Sequence, residues 1–323
     1  MEVKSTEYHI SIVAPLYNES EGFALLTNRI DALTANLNIP IEVVLVDDGS
    51  KDNTALLMSK HALENPNYNC VFLSRNFGHQ IAVTAGIAKA RGTKALFIID
   101  GDLQDPPELL PKFYELLQQG NDVVYAVRKK RKEGFIKRLA YSSFYRFLKQ
   151  ISTINIPLDS GDFAMISRRV ANLMMKMPEE SRFLRGMRTW VGFKQIGYEY
   201  ERDERAMGSP KYTFKQLWQL AKNGIFNFSE APIKLMKRAG YATIFFSFCY
   251  AIYILYQKFV VGAVPPGFTT LYLFLMVFAG LQFLFLGLIG EYILRIFFQV
   301  KQRPLFIVSN QIVDGQLQVL DYE

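Results

Sequence analysis

From residue 10 to residue 125 the chain repeats one pattern, a short apolar run followed by a longer amphipathic stretch. The runs 10–14, 41–46, 71–73, 95–99 and 123–125 read as strands, and the segments between them read as helices. Such alternation commits the chain to an α/β architecture with a mainly parallel sheet covered on both faces. Ligands of these sheets bind beyond the carboxyl ends of the strands. Here those ends carry Pro15-Leu16-Tyr17-Asn18-Glu19, Asp47-Asp48-Gly49-Ser50, Arg75-Asn76-Phe77-Gly78-His79-Gln80 and Asp100-Gly101-Asp102-Leu103-Gln104-Asp105. All four are polar and three contain an acid.

Of the 323 residues half are hydrophobic, and the excess lies after residue 239. Segment 239–261 carries only Lys258, near its far end, and segment 268–289 carries no charge. Each is long enough to cross a hydrocarbon core of about 30 Å at about 1.5 Å per helical residue. The connector Gly262-Ala263-Val264-Pro265-Pro266-Gly267 would close them into a hairpin. A pair of buried core helices is the alternative. Lys234, Lys237 and Arg238 precede the first span and Arg295, Lys301 and Arg303 follow the second, which places both flanks in the cytoplasm. Between residues 212 and 228 an apolar stripe (Phe214, Leu217, Trp218, Ala221, Ile225, Phe228) suits a helix in the membrane interface or one packed on the catalytic domain.

The formal charge of +7 gathers in 128–138 and beside the apolar segments, a distribution that favours phosphates and anionic lipid headgroups over nucleic acid. Cys70 and Cys249 support neither a disulfide framework nor a cysteine metal site, and they fit a reducing compartment. Residues 1–8 are polar, so no secretory signal is expected.

The strongest local signal is Asp100-Gly101-Asp102-Leu103-Gln104 after the fourth strand. In an extended backbone Asp100, Asp102 and Gln104 share a face, where they would present three oxygens to a hard cation such as Mg²⁺ or Mn²⁺ carrying a diphosphate. Asp105, ahead of Pro106-Pro107, reads as a helix N-cap. Asp47-Asp48-Gly49-Ser50 leads into a helix capped near Asp52. With Pro15, Tyr17 and Glu19 it would also form the other half of a crevice, Tyr17 offering a stacking face for a base. Arg128 opens a basic loop, and a histidine placed like His79 reads as a hydrogen-bonded structural residue.

Taken together, 13–19, 46–52 and 100–108 resemble the signature of family 2 glycosyltransferases with a GT-A fold, Rossmann-like in its sheet. Within that family the chain is most similar to the polyprenyl-phosphate glycosyltransferases, the dolichyl-phosphate mannose synthase branch, and to its bacterial members with two C-terminal membrane helices. The similarity runs from about residue 10 to 304. It implies that Pro15, Tyr17, Glu19, Val46 and Asp48 line the nucleotide pocket, and that Asp100, Asp102 and Gln104 hold Mg²⁺ or Mn²⁺, with Gly101 between them. Stretch 205–211 is similar to the family's Arg-x-x-Gly-x-Ser-Lys loop, with Ser209-Pro210 exchanged in order, and this puts Arg205 and Lys211 at the donor phosphates. Arg128 stands where the family has an arginine facing the acceptor phosphate. Asp162 stands beside the reacting sugar, to orient it or to act as a base.

The expected enzyme is an inverting transferase that moves a sugar from a nucleotide-sugar donor, UDP-glucose first, to undecaprenyl phosphate for cell-envelope glycan modification. A phosphate monoester has a second pKa of about 6, so it attacks as a dianion without a strong base. The expected organisation is a catalytic domain over 1–210, juxtamembrane helices over 211–238, a hairpin over 239–300 (spans about 239–261 and 268–297) and a cytoplasmic tail over 301–323. This is a multi-pass protein of the inner cell membrane, and a homo-oligomer is compatible with it. A processive polysaccharide synthase would need more membrane helices and a Gln-x-x-Arg-Trp motif, for which residues 185–190 lack the spacing. A dinucleotide-dependent dehydrogenase would need glycines after the first strand, and 15–20 has none. A non-catalytic membrane scaffold would have no need of the acids.

Overall fold

The computed structural model describes residues 7–128, 160–201, 231–262 and 267–319. The chain divides into two compact units, one of residues 1–149, 154–223 and 304–323 and the other of 150–153 and 224–303.

The first unit is built on β1 (Ile10–Leu16), β2 (Ile41–Asp47), β3 (Tyr68–Leu73), β4 (Ala95–Ile98), β5 (Val123–Arg128), β6 (Ser160–Ser167), β7 (Gln195–Tyr200), β8 (Val308–Val313) and β9 (Gln316–Val319). They form one sheet in the order β7-β5-β6-β4-β1-β2-β3-β8-β9. Its helices are α1 (Phe23–Ala35), α2 (Thr54–Glu64), α3 (His79–Lys89), α4 (Leu110–Gln118), α5 (Arg168–Lys176) and α6 (Leu184–Trp190). β1 and β2 are buried at every position, as strands covered on both faces must be.

The sheet is mixed rather than mainly parallel. β1 pairs in parallel with β2 and β4, β2 with β3, and β5 with β7, while the β3–β8, β4–β6, β5–β6 and β8–β9 pairs are antiparallel. Between β1 and β4 the order of winding reverses, so the loops after these two strands splay apart into a crevice. The motifs at 15–19 and 100–105 follow those two strands. Alternation along β6 sends Phe163 to one face and Asp162 to the other. Phe163 joins an edge-to-face cluster with Phe97, at 5.3 Å between ring centroids, and lies 5.4 Å from Phe113. This packing fixes β6 and with it the carboxylate of Asp162.

Residues 301–323, expected as a tail, supply β8 and β9 and extend the sheet beside β3. The network that holds them centres on Glu42, a carboxylate wholly inside β2. Its oxygens accept from Ser11 Oγ at 2.6 Å, Asn69 Nδ2 at 2.9 Å and Arg91 Nε at 2.9 Å, and from the Arg91 backbone N–H. Arg91 reaches on to Asp314, in the β8–β9 turn, with two bonds of 2.9 Å.

The second unit contains α7 (Ala231–Tyr256), which runs into a π-helical turn over Gln257–Val261, and α8 (Phe268–Lys301). Val277–Lys301, with a mean hydropathy of 1.8, is the one helix among the described residues long and apolar enough to cross a membrane by length and composition. Several side chains of α7 lie outside the described residues. Of the two expected spans, one is thus supported.

Candidate active site

The carboxyl ends of β1, β2 and β3 are tied to one another by side-chain to backbone bonds. Asn18, in the left-handed region at φ 51°, donates its N–H to Ser50 Oγ at 2.9 Å, and its own Oδ1 accepts from Lys51 N at 2.8 Å. Glu19 N donates to Thr54 Oγ1 at 2.9 Å and Ser20 N to Asp52 Oδ2 at 3.2 Å. Asp52 also accepts from Thr54 N and Thr54 Oγ1, serving the start of α2 as expected. Burial would raise the Asp52 carboxyl, but these bonds outweigh it and bring it to about 2.

Asp48 is buried, and both of its oxygens accept from backbone, Oδ1 from Phe77 N at 2.7 Å and Oδ2 from Gly78 N at 3.0 Å. It therefore shapes the loop before α3. Gly49 has φ +68°, and a Cβ there would lie 2.6 Å from the Arg75 carbonyl carbon, so only glycine lets the two loops close. Tyr17 and Glu19 are half-buried at the crevice. Pro15 and Val46 are buried. Val46 faces α3, 3.1 Å from where a Cβ of Gly86 would stand, so its side chain packs beneath that helix instead of lining a pocket.

Across the crevice β4 ends at Ile98 and the chain turns, with Leu103 at φ 56°. Asp100, Asp102 and Gln104 are consequently not on an extended strand, and the alternation expected to align them is absent. The turn is instead closed by Gln104 N donating to Asp102 Oδ1 at 3.2 Å. Gly101 packs on β1, where a Cβ would lie 2.3 Å from Leu16 Cδ2 and 3.0 Å from the Pro15 carbonyl oxygen. This contact brings the turn against the first motif. Asp100 Oδ1 is buried without a hydrogen bond, and burial pushes the carboxyl up to about 6, with the charges of Asp105, Asp102 and Asp162 adding to the effect and His79 opposing it.

His79, the first residue of α3, sets Nε2 3.5 Å from Asp100 Oδ1 and 3.6 Å from Asp162 Oδ2. Burial would lower its pKa, but Asp162 and Asp100 raise it to about 9, so the imidazole is cationic. Asp162 also accepts from Gln80 Nε2 at 2.7 Å and from Arg185 Nε at 3.0 Å. Burial alone would raise it, yet Arg185 and His79 hold it well below the usual carboxylate range. A carboxylate so bonded is held in one orientation. It is a poor proton acceptor, and the expectation of a base at Asp162 loses its support.

Asp105 is no N-cap. The 3₁₀ turn Pro107–Leu109 starts at Pro106 with no side-chain cap, and Asp105 lies buried with Oδ1 accepting from the Tyr200 hydroxyl. Arg128, at the end of β5, stands opposite Tyr200 in the β5–β7 register. Its Nη2 runs over Gly161, where a Cβ would be 3.4 Å away. Arg205, Lys211, residues 129–159 and the stripe 212–228 lie outside the described residues. Sequence reasoning did not single out Gln80, Arg185 or Tyr200. Each acts on a carboxylate at least 23 positions away, and only the cluster of arginines at 182–188 gave any signal.

Residues 11–173 match the description Glycosyl transferase family 2. An uncharacterized glycosyltransferase of Bacillus subtilis, YkcC, is 42% identical over 307 residues, covering 95% of both chains. The bactoprenol glucosyl transferase of Shigella phage SfV is 34% identical over 303 residues, 94% of this chain and 98% of its own. A prophage bactoprenol glucosyl transferase homolog of Escherichia coli is 34% identical over 302 residues, 93% of this chain and 98% of its own. A crevice at the strand-order reversal, flanked by the two acidic motifs, is where such similarity acquires chemical content, and the chain belongs to glycosyl transferase family 2 and is a glycosyltransferase.

Proposed function

We propose that this enzyme transfers glucose from UDP-glucose to a polyprenyl phosphate, undecaprenyl phosphate first, in one displacement that inverts the anomeric centre. The observation that carries the acceptor class is the state of Asp162. A hydroxyl acceptor needs a base, and the carboxylate beside the crevice is locked by Gln80, Arg185 and His79. A phosphate acceptor needs none, since its second pKa of about 6 leaves it largely dianionic near neutrality. Relatives named bactoprenol glucosyl transferase support the same acceptor and the same sugar.

A divalent cation, Mg²⁺ or Mn²⁺, fits the turn after β4. Asp100 offers a buried oxygen without a hydrogen bond, and Asp102 lies half-buried two residues on. Among the described residues no group of three His, Cys, Asp or Glu side chains could hold a metal, so diphosphate oxygens and water would complete the shell, with Gln104 as an added donor. When bound, such an ion neutralises charge on the departing nucleoside diphosphate. The protein's own groups do the rest. Tyr17 stacks the base, Glu19 takes ribose hydroxyls, Arg205 and Lys211 meet the donor phosphates, and Arg128 aligns the lipid phosphate. Arg128→Ala is expected to raise the KM for lipid phosphate roughly ten- to hundredfold, the loss of one charge-assisted contact, with nucleotide affinity unchanged. Lys211→Ala weakens nucleotide binding first. Titration with UDP and metal, paired with transfer kinetics at varied lipid phosphate, separates the two, and loss of nucleotide binding in Arg128→Ala would reverse the loop assignments.

The topology we propose is the two-helix hairpin with both flanks cytoplasmic. Support comes from connectivity. Because β8 pairs with β3, the chain that leaves the catalytic unit before α7 returns to the same unit after α8, which requires an even number of crossings. With α8 as one crossing, we place the second in α7. Cysteines placed at Glu7 and Gln318 are expected to react with an impermeant label only from the cytoplasmic side, and one at Ala263 only from the opposite side. Opposite sidedness of the first two rules the hairpin out.

A further inference from the structure

Arg128 is held at the end of the edge of a strand pair, and what holds it is buried. β5 and β7 run in parallel with Arg128 opposite Tyr200, the last residue of its strand. The Tyr200 hydroxyl donates to Asp105 Oδ1, and both residues are buried. A phenol that gives its proton to a carboxylate keeps its lone pairs free to accept, and here the Arg128 guanidinium is the donor beside them. Arg128 is itself only half-exposed, with Nε buried and without a hydrogen bond, and its terminal N–H groups are shared between Tyr200 and whatever ligand it meets. Gly161 lies beside this group, where a Cβ would stand 3.4 Å from Nη2. Three elements that the sequence keeps far apart, the turn after β4, the end of β5 and the end of β7, thus converge on one guanidinium.

We infer that Tyr200 and Asp105 are positioning residues for Arg128: they fix its guanidinium in the orientation that receives the phosphate of the acceptor. Burial of an acid beside a phenol has a cost. The charge of Asp105 offsets that of Arg128 across the Tyr200 hydroxyl, so the arginine can be drawn from water without an unbalanced charge. The inference rests on the reading of Arg128 as the acceptor-phosphate residue.

A double-mutant cycle in the full-length protein reads this directly. Tyr200→Phe keeps the ring and its packing on Phe163, with centroids 5.6 Å apart, and removes only the hydroxyl. We expect the KM for undecaprenyl phosphate to rise about three- to tenfold, the range of one hydrogen bond, with UDP affinity unchanged; because the buried Asp105 loses its donor the melting temperature also falls, and the kinetics are read well below it. In an Arg128→Ala background the same substitution is expected to change nothing further. Asp105→Asn, which keeps the shape and loses the charge, is expected to follow Tyr200→Phe and provides the second route should either variant fold poorly. An equal effect of Tyr200→Phe with and without Arg128, or a fall in UDP affinity, overturns the positioning role. If Arg128→Ala alone leaves the lipid KM unaltered, the reading of Arg128 fails first, and the positioning role with it.

Discussion

Asp102→Asn is expected to lower turnover by roughly 10²- to 10³-fold or more, the scale on which removal of one group stabilising the developing charge is felt. The substitution is chosen for what it spares. The amide oxygen of asparagine can still accept from Gln104 N, so the turn after β4 keeps the bond that closes it. Asp100, whose oxygen is buried without a hydrogen bond, stays in place, and the contact of Gly101 with Leu16 is untouched. What disappears is one negative charge beside the diphosphate. Two measurements besides turnover follow. Mg²⁺ or Mn²⁺ is expected to strengthen UDP binding to the unaltered enzyme and this increment to be largely lost in the variant, while the melting temperature without ligand stays the same. Full turnover of the variant in excess chelator would remove the metal from the reaction altogether.

The halves of the crevice were legible for different reasons. β1, β2 and β4 are runs of Ile, Val, Leu and Phe buried on both faces, and such runs announce themselves. The motifs at their ends could be placed in the crevice because parallel strands present all their carboxyl ends on one side. β6 was hidden behind the polar run 159–162, and β8 reads as Val308-Ser309-Asn310-Gln311, with too little apolar character to announce a strand. The partner of β8 is β3, and the bond from Ser309 Oγ to the Phe72 carbonyl spans 237 positions, which no local pattern can signal. The turn after β4 shows the opposite failure. Spacing suggested that Asp100, Asp102 and Gln104 alternate along a strand, but β4 stops at Ile98 and Leu103 takes a left-handed conformation. The residues named were unaffected; the geometry that was to unite them was not the one present. Asp105 was misread, and Asp162 left open between two roles, for a common cause: a carboxylate's role depends on who donates to it, and the donors here, Tyr200, Gln80 and Arg185, come from other elements.

Glu42→Ala carries the largest expected loss of stability, about 3–5 kcal/mol, because it strips the anion from a buried cluster and leaves its donors behind. Glu42 has no exposed surface, and without it Ser11 Oγ, Asn69 Nδ2 and the Arg91 N–H and Nε lose their shared acceptor. Each such group left unsatisfied costs on the order of 1–3 kcal/mol, and some relief comes from water reaching the partly exposed Arg91. For a unit of this size the melting temperature is expected to fall by roughly 6–20 °C. Asp314→Ala removes the other partner of Arg91, but at a site where both side chains meet solvent. Its cost is expected to be about 1 kcal/mol or less. The pair of variants therefore separates two roles for the network. If the Glu42 cluster belongs to the core of the sheet, Glu42→Ala is far the more damaging and Asp314→Ala melts close to the unaltered protein. If the network serves chiefly to hold the β8–β9 hairpin, both variants release that hairpin alike. The hairpin's own amides then exchange with solvent early in both, with little change in the β1–β2 core. Thermal unfolding of the full chain in detergent, followed together with amide exchange of β2 and β8, distinguishes these results. Equal melting of the two variants would contradict the placement of Glu42 at the centre of the cluster.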